Sequence, residues 1–168
     1  MNLSRAGTAI VATALTLGLV SVAVTLTSVA VAGSDVAKQR VTMTTQGSGG
    51  TYRSPMVLIP VQAGALERDS GTLTASSLDP DRVVVRSGQK VEIHSAPATF
   101  KGTRGSFVIG ARTEYVDAGN GYHVGTGTWK VMRGTGRYAG MTGGGRTGHV
   151  WLESGPWSSH YEGILTLP

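Results

Sequence analysis

Four histidines, His94, His123, His149 and His160, are the side chains of this chain best suited to bind a metal or to move a proton. Zinc takes three or four nitrogen, sulfur or carboxylate ligands, often from closely spaced pairs. These four fall on different expected strands, and His160-Tyr161-Glu162 is the one short pairing with a carboxylate, so no metal site is assigned. The chain has no cysteine, which removes thiolate ligands and disulfides alike. No serine sits in a Gly-x-Ser-x-Gly elbow, and Asp79 and Asp81 flank Pro80 as turn formers rather than as an acid–base pair. Gly134-Thr135-Gly136-Arg137-Tyr138-Ala139 has the form GxGxxA of a dinucleotide fingerprint. That fingerprint needs a helix directly behind it, so that helix N–H groups meet the pyrophosphate. Gly140 and Gly143-Gly144-Gly145 would destroy such a helix. No cofactor is expected.

What remains is a set of aromatics concentrated in the C-terminal half. Period-two alternation, with aromatics taken to point inward, places Phe107, Tyr115, Trp129, His149, Trp151 and Tyr161 on one face. Such a face gives a small, largely apolar ligand its contact area, while His149 or the tyrosine hydroxyls orient a polar end. The same residues would equally fill a solid core, and the sequence leaves hollow and filled interiors both open.

The elements that must carry these residues are strands. Gln89–Ser95 alternates, with Val91 and Ile93 on one face and Lys90, Glu92 and His94 on the other. Ser106–Val116 alternates too, Phe107, Ile109, Ala111 and Tyr115 opposing Arg112 and Glu114. Asn120-Gly121 is a hairpin signal, and His123–Met132 returns from it. Arg146–Glu153 and His160–Leu167 follow, turned by Gly155-Pro156. Upstream, Arg40–Thr45, Met56–Val61, Gly71–Ser76 and Arg82–Val85 are weaker strand candidates, with Pro60 marking an edge or a bulge. The dense glycine of 127–145 suits sharp bends and close backbone approach, as at the corners of a small closed barrel. The pattern predicts an all-β fold.

The first 32 residues read as an export signal: Arg5, a long uncharged apolar stretch, and the small-x-small site Ala30-Val31-Ala32. An uncleaved anchor, the membrane's one point of contact, is the competing reading. Either places the remainder in the cell envelope or outside the cell. Residues 33–54, with Gly47-Ser48-Gly49-Gly50, read as a flexible lead-in, and 55–168 as one barrel domain. The formal charge of +5 is spread singly along the chain, which argues against a nucleic-acid partner.

At Gly134–Gly145 the pattern G-T-G-x-Y-x-G-x-x-G resembles a signature of the allene oxide cyclase and dirigent-protein barrels. The preceding hairpin (Gly105–Met132) and the closing Tyr161-Glu162-Gly163-Ile164-Leu165 agree with it, so the resemblance covers about Gly102 to Pro168. It implies a small antiparallel eight-stranded barrel, a trimer, and a cavity open at one end that holds a reactive apolar guest in one conformation. The plant cyclases' cavity cysteine has no counterpart here, and Asn120 sits in a turn, so their catalytic set does not carry over. The expected function is binding or templating of a small apolar molecule. A cyclase or isomerase, and a filled barrel used for surface contacts, are the alternatives.

Overall fold

The computed structural model describes residues 37–49, 53–75 and 79–168. The expected export segment, residues 1–32, lies outside them. Among the described residues there is no helix. Nine strands run in chain order: β1 (Ala37–Ser48), β2 (Arg53–Pro60), β3 (Asp69–Ala75), β4 (Arg82–Arg86), β5 (Gln89–Gly102), β6 (Gly105–Gly119), β7 (Tyr122–Gly136), β8 (Thr142–Leu152) and β9 (Pro156–Leu167). Their order is β3-β2-β1-β9-β8-β7-β6-β5-β4, every pair antiparallel.

Closure comes from β5. Its first residues, Gln89–Ile93, pair with β4, while its last, Ala98–Gly102, pair with β3. The β3–β5 seam joins the two ends of the sheet into an eight-stranded barrel and leaves β4 as an added strand beyond it. Closure removes the open edges that a disulfide-free sheet would otherwise expose.

The strand candidate Arg40–Thr45 within the expected lead-in is the middle of β1, and the whole of Ala37–Ser48 pairs with β9, so the barrel starts before residue 55. The inward residues of β1 include Gln39 and Thr45, both buried and both polar, which is why the segment does not read as a core strand. The Asn120-Gly121 turn is as expected: Asn120 and Gly121 have φ of 54° and 75°, the left-handed pair of a type I′ hairpin.

Register fixes which face of each strand looks inward. Phe100 lies opposite Phe107 in the core, and the period of two then carries Ala98, Ala96, His94 and Glu92 to the lumen side of β5. Val91 and Ile93, the apolar face expected to be the buried one, are indeed buried but on the outside of the barrel. There Val91 lies between Val84 of β4 and Val116 of β6, and Ile93 between Arg82 and Glu114. The Arg86 guanidinium reaches over β5 on that side to grip both oxygens of Glu114, at 2.5 and 3.2 Å.

One end of the barrel is solid. Val41, Met43, Met56, Leu58, Phe100, Phe107, Ile109, Trp129, Tyr138 and Leu165 form its packing, with Leu66 and Met141 beneath. Tyr138 comes from the turn after β7, where Tyr138 N–H donates to Thr135 O and Met141 N–H to Tyr138 O. A side chain at Gly134 would collide with the Tyr138 carbonyl, so glycine is what lets this turn fold back under the barrel. The fully buried Tyr138 ring packs edge-on against Phe107, centroids 5.0 Å apart, and its hydroxyl donates to Asp69 Oδ2 at 2.7 Å. Gln39 holds the loop beyond β2: its amide donates to Gln62 O and Leu66 O, and its oxygen accepts from Leu66 N–H.

Candidate functional site

The other half of the lumen is open. A cavity of about 420 Å³ lies there, a size within the range of small-molecule sites. Leu73, Ala98 and Tyr161 belong both to its wall and to the packed core, so they form its floor. Above them the wall turns mixed. Tyr115, Trp151 and Trp157 supply rings, while Thr45, Ser54, Ser159, Glu92, His94, His123 and His149 supply polar atoms.

His149, on β8, is committed to its own wall. Its Nδ1 lies 2.6 Å from Ser159 Oγ, and its Nε2 lies 3.0 Å from Thr147 Oγ1 and 3.4 Å from Thr113 Oγ1. Thr147 spends its hydroxyl proton on the His160 carbonyl at 3.0 Å. It must therefore accept from His149, which puts the imidazole proton on Nε2 and makes Ser159 the donor to Nδ1. Burial, reinforced by the repulsion a protonated His94 would exert, pulls the His149 pKa down to about 4, so the ring is neutral at physiological pH. Tyr161 stands perpendicular to it, centroids 5.6 Å apart. Burial pushes the Tyr161 pKa up to about 12.

Tyr115, opposite Gly125 across β6 and β7, lies flat against that glycine. Any side chain at position 125 would occupy the space of the ring. Burial raises the Tyr115 pKa well above the ordinary phenol range, so its hydroxyl stays protonated. His94 meets Tyr115 edge-on, centroids 4.8 Å apart, and Tyr115 in turn faces His149 at 5.6 Å. His94 Nε2 is 3.6 Å from Glu92 Oε2, and the other oxygen of Glu92 accepts from Lys90 Nζ at 2.8 Å. The Lys90 bond outweighs the cost of burial and lowers the Glu92 pKa, keeping it a carboxylate.

At the rim, Trp151 and Trp157 are cross-strand partners on β8 and β9. Trp151 stacks on His123, centroids 4.4 Å apart, and His123 Nε2 lies 3.4 Å from Glu153 Oε1. Trp157 lies over Gly47 of β1, where a Cβ would strike its indole. Rings on one strand thus occupy room that glycines on the next leave free.

Of the six residues expected on the ligand face, Tyr115, His149, Trp151 and Tyr161 line the cavity. Phe107 and Trp129 do not. Phe107 is sealed between Phe100 and Tyr138 in the solid half. Trp129 is buried over Gly163, and its indole N–H is shared between the Arg146 and Glu162 carbonyls at 3.0 and 3.2 Å. Alternation gave all six the same face, but depth along the barrel divides them. Glu92, His94, His123 and Trp157 line the cavity without having been singled out for it. For His94 the parity of β5 relative to Phe100 was the available signal.

Among the described residues no three of His, Asp or Glu stand close enough to hold a metal ion. No protein-family model matches the chain, and no curated protein matches it.

Proposed function

We propose that this chain is an exported small-molecule-binding barrel of the allene oxide cyclase and dirigent-like type, which holds one small, largely apolar guest in the open half of its lumen. The observation that carries the reading is the uneven filling of the barrel. One half is filled by a cluster of buried side chains, while the other keeps about 420 Å³ between aromatic walls. A purely structural barrel has no physical reason to leave that volume empty, since unfilled space forfeits packing energy. The floor of Leu73, Ala98 and Tyr161 suits a flat apolar body, and the hydroxyl and imidazole groups above it suit a single polar end. Export rests on the residue pattern of 1–32, and the family likeness on the Gly134–Gly145 motif and the eight-stranded closure.

Fluorescence titration tests this directly, because Trp151 and Trp157 border the cavity. Apolar ring compounds should change the emission saturably, at one guest per chain. Ala75→Phe, which fills the cavity from the end of β3, should abolish the response while leaving the far-ultraviolet spectrum unchanged. Folded protein that responds to no member of a broad apolar panel would refute the reading.

A templating isomerase or cyclase is the second reading. The observation that favours it is the placement of an imidazole, His94, next to a carboxylate, Glu92, in the cavity wall. It requires turnover of a bound guest and loss of that turnover, with retained binding, in His94→Gln.

A further inference from the structure

The two histidines of the inner wall differ in what they already hold. Both nitrogens of His149 are engaged by Ser159, Thr147 and Thr113. His94 makes no hydrogen bond: its Nε2 is sealed from solvent, and Glu92 Oε2 stands 3.6 Å away. The side chain nevertheless keeps 19% of its surface exposed, and Nε2 alone of its two nitrogens is closed off without a partner. A carboxylate facing Nε2 favours the proton on that nitrogen. Nδ1 is then left with its lone pair on a ring that borders the cavity.

The charges around this acceptor are one-sided. Glu92 and Glu153 are in the cavity wall, and no lysine or arginine is among the described residues that line it. Lys90, the nearest cation to Glu92, is already bound by Glu92 Oε1 at 2.8 Å, so that carboxylate has its counter-ion. A carboxylate guest would find no donor at His94 and no free cation to offset its desolvation. A guest cation is not needed to balance Glu92.

We propose that His94, held in one tautomer by Glu92, receives the polar end of the guest, and that this guest is an uncharged molecule carrying a hydrogen-bond donor, such as an alcohol or a lactam, rather than a carboxylic acid. The proposal rests on the small-molecule reading above and gives its guest a head group. Tyr115, edge-on to His94, completes the contact as an aromatic wall, and Tyr161 and Leu73 receive the apolar body.

Four probes of one ring system test it by equilibrium dialysis against the full chain at pH 8: 2-naphthalenemethanol, 2-methylnaphthalene, 2-naphthoate and 2-naphthylmethylamine. The alcohol should bind about tenfold tighter than the hydrocarbon and at least tenfold tighter than the acid. His94→Phe should bring the alcohol down to the affinity of the hydrocarbon without changing the latter. Glu92→Gln, at a partly exposed position and with folding checked by far-ultraviolet circular dichroism, should narrow the alcohol-to-acid ratio at least threefold. Equal binding of alcohol and acid, an undiminished alcohol preference in His94→Phe, or an amine that outbinds the alcohol would each overturn the proposal. If 2-methylnaphthalene binds and the head groups rank equally, this assignment alone falls. If none of the four binds, this assignment falls, and the small-molecule reading falls with it when the broad apolar panel fails as well.

Discussion

The Tyr138 hydroxyl and the Asp69 carboxylate meet at 2.7 Å beneath the solid half of the barrel, joining the turn after β7 to the start of β3. Asp69 also accepts from the Thr103 hydroxyl and from the backbone N–H groups of Ser70, Thr103 and Arg104. One carboxylate thus fastens three separate segments. Tyr138→Phe removes a buried hydrogen bond to a charged group, and should cost about 1.5–3 kcal/mol in urea unfolding at pH 7. A loss well under 1 kcal/mol would mean that packing of the ring, not its hydroxyl, holds this end.

The same carboxylate predicts an acid limit. Burial alone would raise the Asp69 pKa, but the hydrogen bonds from Thr103, Tyr138 and Arg104 outweigh it and bring it to about 2. A carboxylate with a depressed folded-state pKa stabilises the fold above its unfolded value near 4 and loses that contribution as pH falls towards 2. The loss should be on the order of 2 kcal/mol. Asp69→Asn should flatten the stability profile between pH 4 and 2, and an unchanged slope there would contradict the assignment.

The stability that His149 contributes is lost in the same direction, toward acid, but in a higher pH window. Its pKa is lowered to about 4, so the unfolded chain, with histidine near 6.5, binds the proton more readily. Its neutral form therefore contributes fully above pH 6.5, and stability declines as pH falls from 6.5 to 4, by on the order of 3 kcal/mol in all. Nitrogen-15 spectra of the imidazole should report a neutral Nε2–H tautomer at pH 6. A charged ring, or the Nδ1–H tautomer, would break the Ser159–His149–Thr147 arrangement inferred above.

How far the sequence reveals this molecule depends on the range of the interaction that decides each feature. The face of β6 was legible from Phe107, Ile109, Ala111 and Tyr115, because alternation is local. The turn at Asn120-Gly121 was legible for the same reason. The barrel's closure was not, since the β3–β5 seam pairs Gly71 with Gly102 and neither residue signals the other. Nor was the lumen side of β5: Val91 and Ile93 look like the core face, yet they are buried beside β4 on the outside of the barrel while His94 points in. The G-T-G-x-Y motif was noticed, but its tyrosine's task, plugging the barrel through Asp69, lies 69 residues back in the chain.

Gly125 makes a test of the cavity wall that leaves every polar group in place. Tyr115 lies where a Cβ on residue 125 would be, so Gly125→Ala must push the ring off its neighbour strand and into the lumen. Overpacking of this kind costs about 1–3 kcal/mol. The displaced ring also takes up volume between His94 and His149, its ring neighbours on either side. Thermal unfolding should register the first effect and weaker binding of any cavity guest the second. A variant that loses stability but binds as before would place the guest away from Tyr115, nearer the rim tryptophans.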